Sequence, residues 1–339
     1  MIYMQYFRFD SGQPKIMLAL CWTVFGRFGI STLLRVTIWA AIASAITSNV
    51  AAKDISECEI KSACGAGAAV SNGNAVAGGL NGRYQYMVNQ CPNGKPAYYC
   101  SGIAIRATVA SKGKYHEWDP SPAALDMGSV SFSYMRADTA TKMVYHDHGF
   151  IFKANDDFDA STYPDLSYRC IYPSDAATQN SVVYSYGCMK IAYSVANPPY
   201  SGDVSSCTLL GVQSASDWVS KKNKDANFNC SFSTADPQGF AQALYGAYTY
   251  SVNQNSSWTE LMIETWPDGV PSSLPIEAFF YTKQYTSGMS TGLQNAQALQ
   301  SDFCSATKKF VPIVKLDFNV DDLNIFSYND ADQATTCDQ

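Results

Sequence analysis

The chain has 339 residues, of which 47% are hydrophobic, and its 23 basic against 29 acidic residues give a formal net charge of −6. That apolar content can build a packed core, while the acidic balance argues against general binding to a nucleic-acid backbone or to an anionic membrane surface.

The N-terminus reads as an export signal. Residues 36–52, VTIWAAIASAITSNVAA, are apolar and uncharged, follow Arg27 and Arg35, and end on the small residues Val50-Ala51-Ala52. A basic region, an apolar stretch and a small-residue cleavage site make a secretory signal. The stretch is shorter than the ~20 residues a helical membrane span needs, and the chain turns polar at Lys53. Residues before Arg27 form an unusually long lead, which makes Met17 a second candidate start. We therefore divide the chain into a signal segment, 1–52, and a single secreted domain, 53–339, with no stable membrane insertion expected. Removing Arg8, Lys15, Arg27, Arg35 and Asp10 leaves 19 basic and 28 acidic residues, a net charge of −9. Cys21 also leaves, so ten of the 11 cysteines remain. An even count in an exported chain implies disulfides. No C-x-x-C pair exists, which argues against a zinc knuckle. Connectivity stays open, and the short loops make Cys58–Cys64 and Cys91–Cys100 the simplest pairs.

Beyond residue 53 the chain is at first too rich in glycine to predict a helix, but Tyr84, Met87 and Val88 give 81–91 helical spacing. Residues 97–108, AYYCSGIAIRAT, read as a strand with Ile103 and Ile105 on one face and Ala104 and Arg106 on the other. Asp119-Pro120-Ser121-Pro122 marks 112–128 as a loop. The segment SVSFSYMR alternates strictly, with Val130, Phe132 and Tyr134 against Ser131, Ser133 and Met135. GFIFKA (149–154) and the start of 163–180 read as further strands. Residues 214–224 form a helix capped by Ser214 or Ser216. The strand NFNCSFS (227–233) follows. The clearest helix begins at the cap Asp236 with Pro237 in its first turn, and places Phe240, Leu244 and Tyr248 on one face. Glu260 and Glu264, four apart, would share a helix face in the element at 256–266. LPIEAFFYT (274–282) and 308–320 are the last strands. No repeat and no linker divides the domain. The pattern predicts an α+β fold with a mixed, mostly antiparallel sheet, a few helices and disulfides.

Two charges stand in apolar strands. Arg106 lies among Ile103, Ala104 and Ile105, so it is either an anion clamp or a solvent-facing or ion-paired strand residue. Glu277 interrupts 274–281 and must be either functional or salt-bridged, because an unpaired buried charge is costly. Ser131 and Ser133 share a face and line either a cleft or the ordinary polar side of a sheet. His116, Trp118 and Asp119 mix an imidazole, an aromatic and an acid in one loop, a site-like composition that a locally bonded turn also produces. His146 and His148 flank Asp147, but no third ligand stands at metal spacing, so no metal is expected. The nucleophile-elbow, zinc-protease, P-loop and dinucleotide motifs are all missing from the sequence.

Six ordered blocks carry a resemblance. YCSGIAIRAT (99–108), HEWDPSP (116–122), VSFSYMR (130–136), DAAT (175–178), LPIEAFFY (274–281) and PIV (312–314) resemble, in this order, the halovibrin family of secreted bacterial proteins. The resemblance spans most of the mature chain, and it implies an enzyme that consumes NAD as an ADP-ribosyltransferase or NAD glycohydrolase. The order arginine, Ser-x-Ser, glutamate is also similar to that of ADP-ribosylating toxins. What this implies is a role for Arg106 on an NAD phosphate, for Ser131 or Ser133 in the nicotinamide-ribose pocket, and for Glu277 on the ribose and its cationic transition state. His116 is a further catalytic candidate, and Trp118 and Asp119 join Arg106, Ser131 and Ser133 as NAD-binding candidates. NAD is then substrate, with no resident cofactor and with a host protein as a possible acceptor. The chain departs from the toxin pattern in having Pro275 two residues before Glu277 where a second acid normally serves the acceptor. That shifts the expectation toward plain hydrolysis. The alternative is a non-catalytic exported binding or adhesion domain, for which 22 tyrosines would supply contacts.

Overall fold

The computed structural model describes residues 69–92, 94–109, 116, 118–119, 129–139, 146–154, 167–174, 206–254, 259–264, 274–282, 289–319 and 323–334. All of these belong to the compact unit Ala52–Gln339. The signal segment and the Cys58–Cys64 pair lie outside the described residues.

In chain order the elements are β1 (Ala69–Val70), α1 (Gly73–Gln85), β2 (Ile103–Ala107), β3 (Val130–Met135), β4 (His148–Phe152) and β5 (Ser167–Tyr172). There follow α2 (Ser206–Leu209), α3 (Ala215–Lys224), β6 (Phe232–Ser233), α4 (Pro237–Gln254), β7 (Glu260–Glu264) and β8 (Ile276–Thr282). The last are α5 (Met289–Thr307), β9 (Lys309–Phe310), β10 (Ile313–Leu316) and β11 (Phe326–Tyr328). Nine strands form one sheet in the order β11-β10-β8-β4-β2-β3-β7-β5-β6. Its pairings are antiparallel except β8 with β10, and α5 is the connection that a parallel pair requires. The architecture is the α+β, mostly antiparallel, disulfide-bearing fold that the sequence predicts.

Alternation buries both faces of this sheet. Ile103, Ile105, Met135, Ile151, Ala278, Phe280, Val314 and Leu316 meet Ala77, Leu80 and Tyr84 of α1 on one side. Val130, Phe132, Phe150, Phe152, Phe279 and Ile313 pack with Trp218, Phe240, Leu244, Ala296, Leu299 and Phe303 on the other. The β8 strand therefore reads as a continuous apolar run because it has no solvent face, and Glu277 is its one half-buried position.

Several elements differ from the sequence reading, each for a local reason. The glycine-rich segment is helical from Gly73, because Asn72 accepts from the Ala75 N–H at the N-terminus and Ala77, Leu80 and Tyr84 bury one stripe. The predicted strand at 97–108 begins only at Ile103, after a 3₁₀ turn at Ala97–Tyr99 and the left-handed Gly102 (φ 67°). At Gly102 a Cβ would overlap the Tyr134 ring, so only glycine lets the chain turn there. Glu260 and Glu264 lie on a strand, not a helix. Only Phe232–Ser233 of 227–233 pairs as a strand. Tyr248 leaves the buried stripe of α4 and is 47% exposed. Helix α3 and its Ser214 cap are as predicted.

Disulfides join Cys91 to Cys100, with Cα atoms 6.0 Å apart, and Cys207 to Cys230, with Cα atoms 4.9 Å apart. Cys170 and Cys304 are disulfide-bonded as well. The first pair is the short-loop pairing expected from spacing; the second is not legible from spacing. Among the described residues no helix is long and apolar enough to cross a membrane.

Candidate functional site

Arg106 occupies the fourth position of β2, half-buried, between β3 and β4. Its Nη1 donates to the main-chain carbonyl of Ser131, 2.7 Å away on β3. The approach of β4 on the other side depends on Gly149, where a Cβ would overlap the Arg106 carbonyl oxygen. Beside this end of the sheet lie His146, Asp147 and His148. The buried His148 shares a hydrogen bond between Nδ1 and Asp147 Oδ1 at 2.8 Å. Burial, the neighbouring His148 and Arg106 hold the His146 imidazole below its usual value, against the opposing pull of Asp147. The structure thus gathers Arg106 with the backbone of Ser131 and with an Asp–His pair.

Ser131 and Ser133 are half-buried, alternating with the buried Val130, Phe132 and Tyr134. The register Val130↔Ile263, Ser131↔Met262, Phe132↔Leu261 brings β7 alongside them. Leu261 and Ile263 share the core of Val130 and Phe132, so Glu260 takes the same face as the two serines, one step past the Phe132↔Leu261 pair. Spacing alone could not find Glu260, because its relation to Ser133 exists only through strand pairing.

Glu277 lies elsewhere. Strand β4 separates β8 from β2, and Glu277 faces α1. Arg83 of α1 grips it with both Nη atoms: Nη1 donates to Oε1 at 3.2 Å and Nη2 to Oε2. With side chains only 14% and 13% exposed, the pair is well shielded. The salt-bridged reading of Glu277 is therefore realised in this structure, by an arginine with no distinguishing mark in the sequence. Arg83 also lines a slot with Tyr98, Tyr134, Tyr168, Phe152 and Lys153.

His116, Trp118 and Asp119 do come together, with Asp302 of α5 as a fourth member. Asp302 Oδ2 pairs with His116 Nδ1 and accepts from Trp118 Nε1 at 3.3 Å. The imidazole stacks on the indole, with ring centroids 4.9 Å apart and planes 5° from parallel. Asp119 N–H donates to the His116 carbonyl at 2.8 Å. Burial pushes the Asp119 carboxyl up and Asp302 adds to this, while His116 and the backbone bond oppose it. Trp118 is anchored edge-on against Phe303, but His116 and Asp302 stay 47% and 42% exposed. This arrangement fixes the orientation of the imidazole. No hydrogen bond or ion pair joins this cluster to Arg106 or Glu277 among the described residues. Nor, among them, do three His, Cys, Asp or Glu side chains gather as a metal site.

No family model, no curated protein and no solved structure matches this chain.

Proposed function

We propose that the chain is an exported NAD-consuming enzyme that cleaves the nicotinamide–ribose bond, as a glycohydrolase and, given a host protein acceptor, as an ADP-ribosyltransferase. The observation that carries this reading is the hydrogen bond from Arg106 to the Ser131 carbonyl. Two sequence blocks whose resemblance implied one NAD pocket are thereby neighbours in space through the Ser131 backbone, while the Ser131 and Ser133 side chains point to the sheet face opposite Arg106. The contact orients the guanidinium, whose planar fork suits a diphosphate. Bond cleavage leaves a cationic sugar, which a carboxylate must face.

Two carboxylates compete for that role. Glu277 is the one the resemblance implies, and it must first exchange Arg83 for substrate. Glu260 lies on the strand beside Ser131 and on the serine face, which is the face opposite the one Arg106 shares with Ala104, so it competes only if NAD reaches around the end of the sheet. The test is nicotinamide release from NAD by the purified, disulfide-intact chain 53–339, with Glu277→Gln and Glu260→Gln measured beside wild type. The catalytic carboxylate is the one whose amide variant keeps its Tm and loses about 100-fold in kcat, ~3 kcal/mol of transition-state stabilisation. Wild-type protein that is folded and releases no nicotinamide contradicts the proposal. The binding-domain reading then gains, supported by Tyr245 and Tyr248, which are 60% and 47% exposed on α4.

A further inference from the structure

At the far edge of the sheet, strand β6 and the first turn of α4 border a cleft of about 630 Å³, within the ~300–1,000 Å³ of small-molecule sites. Its walls are tied together. The Cys207–Cys230 disulfide and the bond from Cys207 N–H to the Ser231 carbonyl, 3.0 Å, hold α2 to the segment that enters β6. Gln242 Oε1 accepts from Ala215 N–H at 2.7 Å, which holds the start of α3 to α4.

The lining is polar and nearly uncharged. Three amides, Gln213, Gln238 and Gln242, line the cleft with the hydroxyls of Thr208 and Ser233. Among the described lining residues there is no lysine, arginine or histidine to meet an anion. The one carboxylate, Asp236, accepts from the Gln238 and Gly239 N–H groups at 3.0 Å each, which closes the N-terminus of α4 to an outside anion. An amide both donates and accepts, as a hydroxyl does, and Gln242, with its oxygen on Ala215, still offers two N–H donors. Gln238 and Gln242 are four apart and share a face of α4. Tyr245, 60% exposed, continues that stripe, and a helical side chain leans back over the preceding turn, here the turn of Gln242. A ring beside amides suits a ligand with an apolar C–H face and a rim of hydroxyls.

We propose that this cleft binds a neutral glycan, with Tyr245 packed on the face of a sugar ring and Gln238 and Gln242 bonded to its hydroxyls. The site is independent of the NAD reading, because β3, β7 and β5 separate β6 from Arg106 on β2.

The experiment is isothermal titration calorimetry of the disulfide-intact mature chain with cellohexaose, maltohexaose, chitohexaose, the anionic hexagalacturonate and a blocked, uncharged tetra-alanine peptide. At least one neutral hexasaccharide is expected to bind with a dissociation constant of roughly 1 mM or below. Gln238→Ala and Tyr245→Ala, both at exposed positions, are each expected to weaken that binding about three- to tenfold, the loss of one hydrogen bond or one ring contact, with Tm unchanged. Absence of binding by all three neutral hexasaccharides, or wild-type affinity in both variants, overturns the proposal. Tighter binding of hexagalacturonate than of the neutral sugars also overturns it, and binding of the peptide alone does so in favour of a polypeptide partner. If one variant does not fold, wild-type affinity in the other overturns it. The titration reads binding alone, so its outcome does not depend on nicotinamide release.

Discussion

Arg83 and Arg106 stand near opposite ends of the same strand and are held in different ways. Arg83, at the end of α1, is fixed by a carboxylate, and its main-chain oxygen accepts from the Gly102 N–H at 2.9 Å as the chain enters β2. Arg106, near the far end, is fixed to a main-chain carbonyl. The first contact cancels charge and suits a lock between helix and sheet. The second orients the guanidinium against the neighbouring strand. A charged residue in an apolar strand is thus ambiguous until its partner is known: Glu277 is half of an ion pair, and Arg106 is held on a backbone carbonyl.

Breaking the lock has the largest expected effect on stability. Glu277→Ala strands a shielded guanidinium and is expected to cost about 3–5 kcal/mol in denaturant unfolding. Glu277→Gln, which still accepts hydrogen bonds, is expected to cost less. Unfolding of Glu277→Ala at the wild-type midpoint would show that the pair does not hold α1 to β8.

The Cys91–Cys100 bridge closes the segment that leads from α1 into β2. Replacing both cysteines by serine is expected to cost about 2–3 kcal/mol, the loop-closure value for so short a loop. The loss is expected to be smaller than for the longer Cys207–Cys230 loop, and unfolding midpoints of the two double variants decide the order.

At Arg106 the proposed function reverses the balance. Arg106→Ala removes a charged hydrogen bond to a carbonyl from a half-buried position and is expected to cost only about 1–2 kcal/mol of stability. Its effect on NAD turnover is expected to exceed its effect on folding, and calorimetry beside kinetics on one preparation separates the two.

The smallest effect belongs to the exposed His116–Asp302 cluster, whose contact is too solvated to add much stability. Asp119 there has its carboxyl raised above 3.8. A raised acid binds more protons folded than unfolded. Its contribution is therefore present below the unfolded value and is lost as pH rises through the folded one. Asp119→Asn is expected to flatten the fall of Tm in the window just above 3.8, and an unchanged slope would place the titration elsewhere.

Much of the sheet is legible in the sequence because alternation and apolar runs report burial directly, as in 130–135 and 276–282. The longest helix among the described residues, α5, is not predicted by the pattern, although Gly292, Ala296, Leu299 and Phe303 recur at helical spacing. Its small and polar residues, MSTGLQNAQALQSDFCSAT, mask that stripe. Arg83, Asp302 and Glu260 carry no local signal: each acquires its meaning from a partner or a neighbouring strand far along the chain. The loop at His116 was legible as a mixture of chemistries, but not its dependence on Asp302, 186 residues later.

On the proposed function Arg106 holds the NAD diphosphate. Initial rates of nicotinamide release against NAD concentration, for wild type and Arg106→Lys, decide this. Lysine keeps the charge and loses the planar fork, so KM is expected to rise about tenfold or more with the fold intact. A folded Arg106→Lys protein with the KM and kcat of an active wild type would contradict it.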